Sequence, residues 1–285
     1  MGLLLTVVLV GLAGYGALAG GLYLAQDHLI FPRHLVPATA EPLPAGSRHE
    51  RLELRTPEGH RLVGTLARAG RPAGVLLLAF AGNASNAGDF AFFLARRLPD
   101  LDVAVLHYRG YGPSEGRPGE AALAADAQAA YDHLVGRLRP RRVLLAGFSL
   151  GSGVAAGLAT ARRADGLLLV TPFDSVLAVA RGLYPWLPVG LLLRHSFRSD
   201  LHLAGLETPT AVIAASDDTV VPRRNTEALV RVLRRPVLVE TVPGSTHNGL
   251  YGMAEIDAAL RRAVDALLAA AAVGRAEPGS YPGAG

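Results

Sequence analysis

The chain has 285 residues, half of them hydrophobic, and carries a formal net charge of +4. All 28 of its basic residues are arginines, scattered in ones and twos among acidic residues, and this pattern argues against nucleic acid as a partner. The absence of cysteine excludes a cysteine nucleophile, a thiolate metal site, a disulfide framework and a lipoprotein anchor.

The first predicted element is a helix in the apolar run Gly2–Ala25, which contains no charged residue. A bilayer core of ~30 Å needs ~20 apolar helical residues, so the run predicts a single-pass membrane anchor. One alternative is a cleaved signal peptide, since Ala17-Leu18-Ala19 fits a cleavage site, although no basic residue precedes the run. Another is a buried helix. Arg33, which follows the run within the window that sets orientation, mildly favours a cytoplasmic domain at a bacterial inner membrane.

A linker and one α/β domain are predicted to follow. Four prolines within residues 26–47 predict an extended linker. Residues 48–273 begin with a predicted hairpin, and short apolar runs then alternate with helical stretches, which predicts a mostly parallel sheet. The hairpin strands are Arg51–Arg55 and Leu62–Ala67, and the later strands are Val75–Phe80, Val103–His107, Val143–Gly147, Gly166–Val170, Thr210–Ala215 and Val237–Val242. The helices are Gly88–Leu98, Glu120–Leu138, Leu150–Arg163, Arg223–Leu233 and Ala254–Ala271.

Two segments interrupt or end this alternation. Residues 172–207, rich in proline, leucine and arginine, predict a short cap. Residues 274–285, rich in glycine, proline and alanine, predict a disordered tail.

A serine stands at the centre of the motif Gly147-Phe148-Ser149-Leu150-Gly151, which fits G-x-S-x-G. The motif follows a predicted strand and opens a helical stretch rich in alanine and glycine. This context exposes a serine hydroxyl on a sharp turn, with glycines where side chains would collide with the backbone. The sequence therefore predicts Ser149 as a nucleophile, with a chance glycine–serine turn as the alternative.

A base and an acid are expected after the serine, because a hydroxyl alone is a weak nucleophile. Asp217 and Asp218 follow one predicted strand, and His247 follows the next. Side chains at the carboxyl ends of parallel strands converge, so the order Ser, Asp, His predicts a catalytic triad. The alternative for His247 is a solvated loop histidine. The pattern leaves the choice of aspartate open, and one of the two is expected to help cap the helix that begins at Arg223.

An oxyanion hole needs two peptide N–H groups close to the serine. One is expected from Leu150, the residue after the nucleophile. The other is expected from Asn83, in the small and polar loop Ala81–Asn86 that follows an early strand. The alternative is an ordinary polar loop between a strand and a helix.

Five segments carry further motifs: Leu29–Pro32, Gly82–Asn86, Tyr108–Gly116, Thr171–Ser175 and Tyr184–Val189. Together they resemble the small, membrane-anchored α/β hydrolases related to serine aminopeptidase-like and depalmitoylase-type enzymes. The resemblance extends from about Leu29 to Gly252. It implies an α/β-hydrolase fold with a mostly parallel central sheet, helices on both faces and a short cap. It also implies that the acid is Asp218, four residues before the proline of the family's Asp-x-x-Val-Pro motif.

Two positions depart from the family motifs. Ala81 stands where the family has a histidine before the oxyanion glycine, and His107 stands where an aspartate often precedes the Tyr-Arg-Gly run. We interpret Arg109 in that run as structural, and Trp186 as packing in the cap.

The combined prediction is acyl transfer to water, with no metal and no cofactor. His247 takes the proton of Ser149, Asp218 fixes the histidine tautomer, and the N–H groups of Leu150 and Asn83 hold the oxyanion. The anchor and the apolar cap favour an ester or thioester with a lipid-like acyl chain. Two alternatives stay open: a peptidase or amidase that uses the same residues, and a non-catalytic binding protein that keeps the fold.

Overall fold

The computed structural model describes residues 2–36, 48–70 and 74–273. A long N-terminal helix, α1 (Gly2–Ile30), precedes a domain in which strands and helices alternate. The strands are β1 (His49–Arg55), β2 (Arg61–Ala67), β3 (Val75–Phe80), β4 (Asp102–Leu106), β5 (Arg142–Phe148), β6 (Gly166–Val170), β7 (Thr210–Ala215) and β8 (Pro236–Val242). The helices of the domain are α2 (Ala87–Arg97), α3 (Glu120–Leu138), α4 (Leu150–Ala161), α5 (Val176–Leu183), α6 (Val189–Leu192), α7 (Ser199–Leu203), α8 (Arg223–Val232) and α9 (Ala254–Val273).

Within the described residues, eight strands form one sheet in the order β1-β2-β4-β3-β5-β6-β7-β8. The hairpin of β1 and β2 is antiparallel and pairs antiparallel with β4, whereas β3 to β8 run parallel. The predicted hairpin and mostly parallel sheet are confirmed, with every strand bound within two residues of its prediction.

Helices cover both faces of the sheet. Leu134 of α3 and Val154 of α4 contribute to the core on one face. Leu94 of α2 and Leu260 of α9 contribute to the core on the other. Because neither face meets water, the central strands are unbroken apolar runs, and every residue of β3 and β6 is buried.

The N-terminal helix is longer than the predicted anchor. It continues to Ile30 instead of stopping at Ala25, so residues 26–30, predicted as linker, are helical. Pro32 explains why it stops there, because the residue before a proline is disfavoured in helical conformation. The remaining linker residues 37–47 and the predicted tail 274–285 lie outside the described residues.

Length and composition allow this helix to cross a membrane. At about 1.5 Å per residue, its 29 residues extend about 43 Å, which exceeds a bilayer core of ~30 Å. Its most apolar stretch of 18 residues has a mean hydropathy of 2.1 and contains no buried residue. This exposure argues against the alternative of a buried helix.

The end of α1 is bonded to the segment predicted as a cap, residues 172–207, which carries α5, α6 and α7. Gln26 is buried, donates to the carbonyl of Leu192 at 3.1 Å and accepts from the N–H of Arg194 at 2.7 Å. Asp27 lies 3.1 Å from the guanidinium of Arg194 and 3.2 Å from Nε2 of His195. These bonds hold the helix against the domain.

Aromatic contacts between α1 and the cap lie on both sides of Gln26 and Asp27 along the chain. Phe31, only 1% exposed, packs edge-on against Phe197, with ring centroids 6.3 Å apart. Closer to the N-terminus, the hydroxyl of Tyr15 donates to the carbonyl of Trp186 at 3.1 Å, and the two rings lie 6.1 Å apart. Trp186 therefore packs on the N-terminal helix.

Arg109 connects three elements of the domain. Its guanidinium makes two hydrogen bonds to Asp126 of α3, at 2.7 and 2.5 Å, and lies 3.4 Å from Glu58 in the turn between β1 and β2. Both partners of the Asp126 pair are less than a tenth exposed. These contacts are those of a structural residue.

We expect Asp126→Ala to lower the free energy of unfolding by about 3–5 kcal/mol, because it leaves the buried guanidinium of Arg109 without its main partner. Asp132→Ala is the control, because Asp132 lies on α3 like Asp126 but pairs near the surface with Arg162 at the end of α4. Its loss should cost less than about 1 kcal/mol. Urea unfolding of the full-length protein in detergent measures both. Equal losses would show that Arg109 does not depend on this pair.

Candidate active site

Ser149 lies at the turn between β5 and α4 in a backbone conformation that side chains rarely adopt. Its φ is 51° and its ψ is −119°, a strain of about 1–3 kcal/mol for a residue other than glycine. Its N–H donates to the carbonyl of Val170 at the end of β6, at 2.9 Å. The neighbouring strand thus holds the strained turn in place.

The glycines on either side are required by close contacts of the backbone. A Cβ on Gly147 would lie 2.4 Å from the carbonyl oxygen of Gly151. A Cβ on Gly151 would lie 2.0 Å from the carbonyl oxygen of Phe80, at the end of β3. The first turn of α4 can approach β3 this closely only because no side chain intervenes.

The structure brings Ser149, His247 and Asp218 together in one chain of hydrogen bonds. Nε2 of His247 lies 2.9 Å from Oγ of Ser149, and Nδ1 lies 2.7 Å from Oδ2 of Asp218. The side chains of His247 and Asp218 are 7% and 4% exposed. In this order, a carboxylate orients the imidazole, and the imidazole is placed to accept the serine proton.

The two neighbouring aspartates have different surroundings. Oδ1 of Asp218 accepts from the N–H groups of Val220 and Val221, at 2.9 and 2.7 Å, which leaves Oδ2 for His247. Asp217 is exposed and accepts from the hydroxyl of Ser216. The expectation that one aspartate caps α8 is wrong, because Pro222 is the N-cap and no side chain bonds there.

The loop after β3 faces Ser149. A Cβ on Gly82 would lie 3.7 Å from Cβ of Ser149, so Gly82, the residue before Asn83, lies beside Ser149. Leu150 is the first residue of α4, where helical geometry leaves the N–H without a partner inside the helix. The side chain of Asn83 points elsewhere, since its Nδ2 donates to the carbonyl of Ile30 at 3.2 Å.

The two departures from the family motifs have different settings. The carbonyl of Ala81 accepts a hydrogen bond from the hydroxyl of Tyr108 at 2.7 Å, and burial raises the pKa of Tyr108 well above its usual value. His107 packs against the turn at Gly112 and is 5% exposed. Within the described residues its Nδ1 has no hydrogen-bond partner, and burial lowers its pKa to about 4.

Sequence reasoning missed a cavity of about 360 Å³ between α1 and the cap. It also missed the part of Gln26 and Asp27 in holding those two elements together. A signal was present, because a polar pair directly after an apolar run of membrane length is placed to contact the domain that follows. The prolines of residues 26–47 indicated a linker instead, and only one of them, Pro32, lies within the described residues.

Comparison with known proteins identifies relatives and a shared fold. No protein-family model matches the chain. It is 38% identical to an uncharacterised protein of Mycobacterium tuberculosis over 234 residues, 79% of this chain and 82% of that protein. It is 30% identical to human alpha/beta hydrolase domain-containing protein 17B over 205 residues, 70% of this chain and 69% of that protein. An esterase structure from Pyrococcus furiosus, 17% identical, matches the fold with a TM-score of 0.61, over 80% of this chain and 97% of that one.

We expect Gly151→Ala to destabilise the protein and to displace Ser149, because the new Cβ collides with the backbone of β3. Gly157→Ala is the matched control on the same helix, since its Cβ would lie no closer than 3.7 Å to any neighbour. Removing a helical glycine there should be neutral or stabilise by up to about 1 kcal/mol. Thermal unfolding distinguishes the two variants, and equal melting temperatures would contradict the steric argument.

The buried His107 predicts a loss of stability in acid. A histidine of pKa about 4 in the folded protein and 6.5 in the unfolded chain stabilises the fold fully above pH 6.5, and the effect is lost as the pH falls towards 4. At pH 5 the loss is about 2 kcal/mol. His107→Phe should not suffer this loss. The free energy of unfolding of the variant, measured relative to the parent by urea unfolding, should therefore be about 2 kcal/mol higher at pH 5 than at pH 7.5. An unchanged difference would show that His107 does not titrate as its burial implies.

Proposed function

The chain belongs to the α/β-hydrolase family, and from that premise we propose that it is a serine hydrolase that cleaves acyl esters or thioesters. The observation that carries the proposal is the chain of hydrogen bonds from Ser149 through His247 to Asp218. A buried imidazole that bonds to a serine hydroxyl on one side and to a buried carboxylate on the other is the arrangement that activates a serine nucleophile.

In the proposed mechanism, His247 removes the proton of Ser149 as its oxygen attacks the acyl carbon. Asp218 holds the imidazole in the tautomer that leaves Nε2 free to accept, and stabilises the imidazolium that forms. His247 then gives the proton to the leaving alcohol or thiol, and an acyl-serine remains. Water, activated by the same histidine, releases the acid and restores the serine. No metal or cofactor takes part in these steps.

In the proposed mechanism, the backbone N–H groups of Leu150 and Asn83 donate hydrogen bonds to the negatively charged oxygen of the tetrahedral intermediate. Leu150 is supported by its place at the first position of α4, where the N–H is not used by the helix. Asn83 is supported by the closeness of Gly82 to Ser149. The Tyr108 bond to the carbonyl of Ala81 fixes the start of the same loop.

We further propose that α1 stays attached and anchors the enzyme in a membrane as a single span. Its length and composition support this role, and so do the bonds from Gln26 and Asp27 to the cap. An anchored enzyme meets substrates at the membrane surface, which favours an acyl ester or thioester of lipid-like character. The high proportion of apolar residues in the cap favours the same class.

Asp218→Asn tests the triad, and Asp217→Asn is the matched control one residue away. The first removes the charge that orients His247 and should lower kcat/KM for p-nitrophenyl butyrate by about 10³–10⁴, whereas the second should change it less than threefold. The assay is run on the full-length protein in detergent.

Labelling by a fluorophosphonate probe tests the nucleophile directly. The parent protein should be labelled and Ser149→Ala should not. Equal labelling of the two, or no labelling of the parent, contradicts the assignment of Ser149. An aminopeptidase substrate assayed beside the ester decides whether amide cleavage is the main activity.

A further inference from the structure

We infer that the cavity between α1 and the cap binds the acyl chain of the substrate, so that the membrane helix forms one wall of the substrate site. The inference rests on the proposed hydrolase function and adds the chain class, a long unbranched acyl group. The cavity is open on one side and has a volume of about 360 Å³, within the ~300–1,000 Å³ usual for small-molecule sites. It is lined by residues 22, 23, 26, 29 and 30 of α1 and by nine residues between Val176 and Leu193.

The lining is apolar, as a hydrocarbon chain requires. None of the residues that line the cavity carries a charge. Gln26 is its most polar side chain, yet its amide is fully engaged: Nε2 donates to the carbonyls of Tyr23 and Leu192, and Oε1 accepts from the N–H of Arg194. A polar or charged ligand would therefore lose its hydrogen bonds to water on entering the cavity and would gain few in return.

Short links connect each wall of the cavity to the turn that carries Ser149. On one side, the carbonyl of Ile30 accepts from the side chain of Asn83, whose neighbour Gly82 stands beside Ser149. On the other side, Val176 follows six residues after Val170, whose carbonyl holds the N–H of Ser149. In the proposed complex, the acyl chain on Ser149 extends along these links, between α1 and α5.

Leu150, the residue after Ser149, belongs to the same apolar core as several residues of the cavity. It belongs to the apolar cluster on which the cavity residues Ile30, Val176 and Val179 pack. Apolar contacts therefore run without a break from the nucleophile turn to both walls of the cavity.

The outer side of the cavity lies next to the exposed surface of the membrane helix. Two lining residues, Leu29 of α1 and Leu183 of α5, are each 55% exposed. Trp186, three residues after Leu183, is 47% exposed. These exposed apolar side chains leave the outer side of the cavity open to an acyl chain that arrives from a membrane surface.

The experiment fills the cavity from each wall in turn. Ala180→Trp places a large ring from α5, and Leu22→Trp places one from α1, on the side opposite the cap. Ala178→Trp is the matched control, a similar change on α5 at a residue that does not line the cavity. Full-length protein in lipid nanodiscs is assayed with p-nitrophenyl acetate, butyrate, octanoate and dodecanoate.

We expect kcat/KM of the parent to rise with chain length, by up to about fourfold per methylene that becomes buried. Both cavity variants should lose at least tenfold on dodecanoate while acetate hydrolysis stays within threefold, and Ala178→Trp should keep the parent profile. Leu22→Trp lies outside the folded domain, so its result does not depend on whether the domain tolerates a new tryptophan.

A parent profile that does not rise with chain length overturns the inference, as do cavity variants that keep the parent profile or lose activity equally on all esters. These outcomes are separate from failure of the proposed function. A protein that hydrolyses acetate through Ser149 but ignores chain length is still a serine hydrolase. A protein that hydrolyses no ester contradicts both.

Discussion

The close approach of the first turn of α4 to the end of β3 is the constraint on which the site depends. Gly151 permits that approach, because a Cβ there would collide with the carbonyl of Phe80 in β3, and Gly147 permits the tight turn from β5 into α4, because a Cβ there would collide with the carbonyl of Gly151. Ser149, in the turn between β5 and α4, has a positive φ, and the bond to Val170 holds it there. Ser149 therefore holds its place at the turn, within reach of His247, at the cost of local strain, which the packed sheet sustains.

A second consequence of the same packing is the meeting of three distant segments. Parallel strands place their carboxyl ends on one edge, so the loops after β5, β7 and β8 reach a common point although 98 residues separate Ser149 from His247. The final choice of partner is local. The turn after β7 gives Asp218 two backbone donors and a buried place, while Asp217, one residue earlier, faces solvent.

Much of this could be predicted from the sequence, because the determinants are local. Apolar runs of strand length, helical runs between them and glycines around a serine predict the sheet and place Ser149 at its turn. Asp218 and His247 each follow a parallel strand, and this position along the chain predicts that they lie at the same edge of the sheet as Ser149. The linker prediction went wrong at Gln26–Ile30, which continue the helix, and the bonding partners of Gln26 lie more than 160 positions away in sequence. The cavity was missed for the same reason. Its two walls are far apart in sequence, and neither carries a pattern that indicates the other.

The junction between α1 and the cap has a geometrical consequence. The helix is bonded to the cap at Tyr15 and again at Gln26 and Asp27, points about 18 Å apart at about 1.5 Å per residue. Two attachments at that spacing restrict rotation of the domain about the helix and tilting against it. A domain on a flexible tether samples every orientation above a surface, whereas this one keeps a fixed side towards whatever surrounds its helix. The orientation of the domain relative to its N-terminal helix is therefore set by the fold.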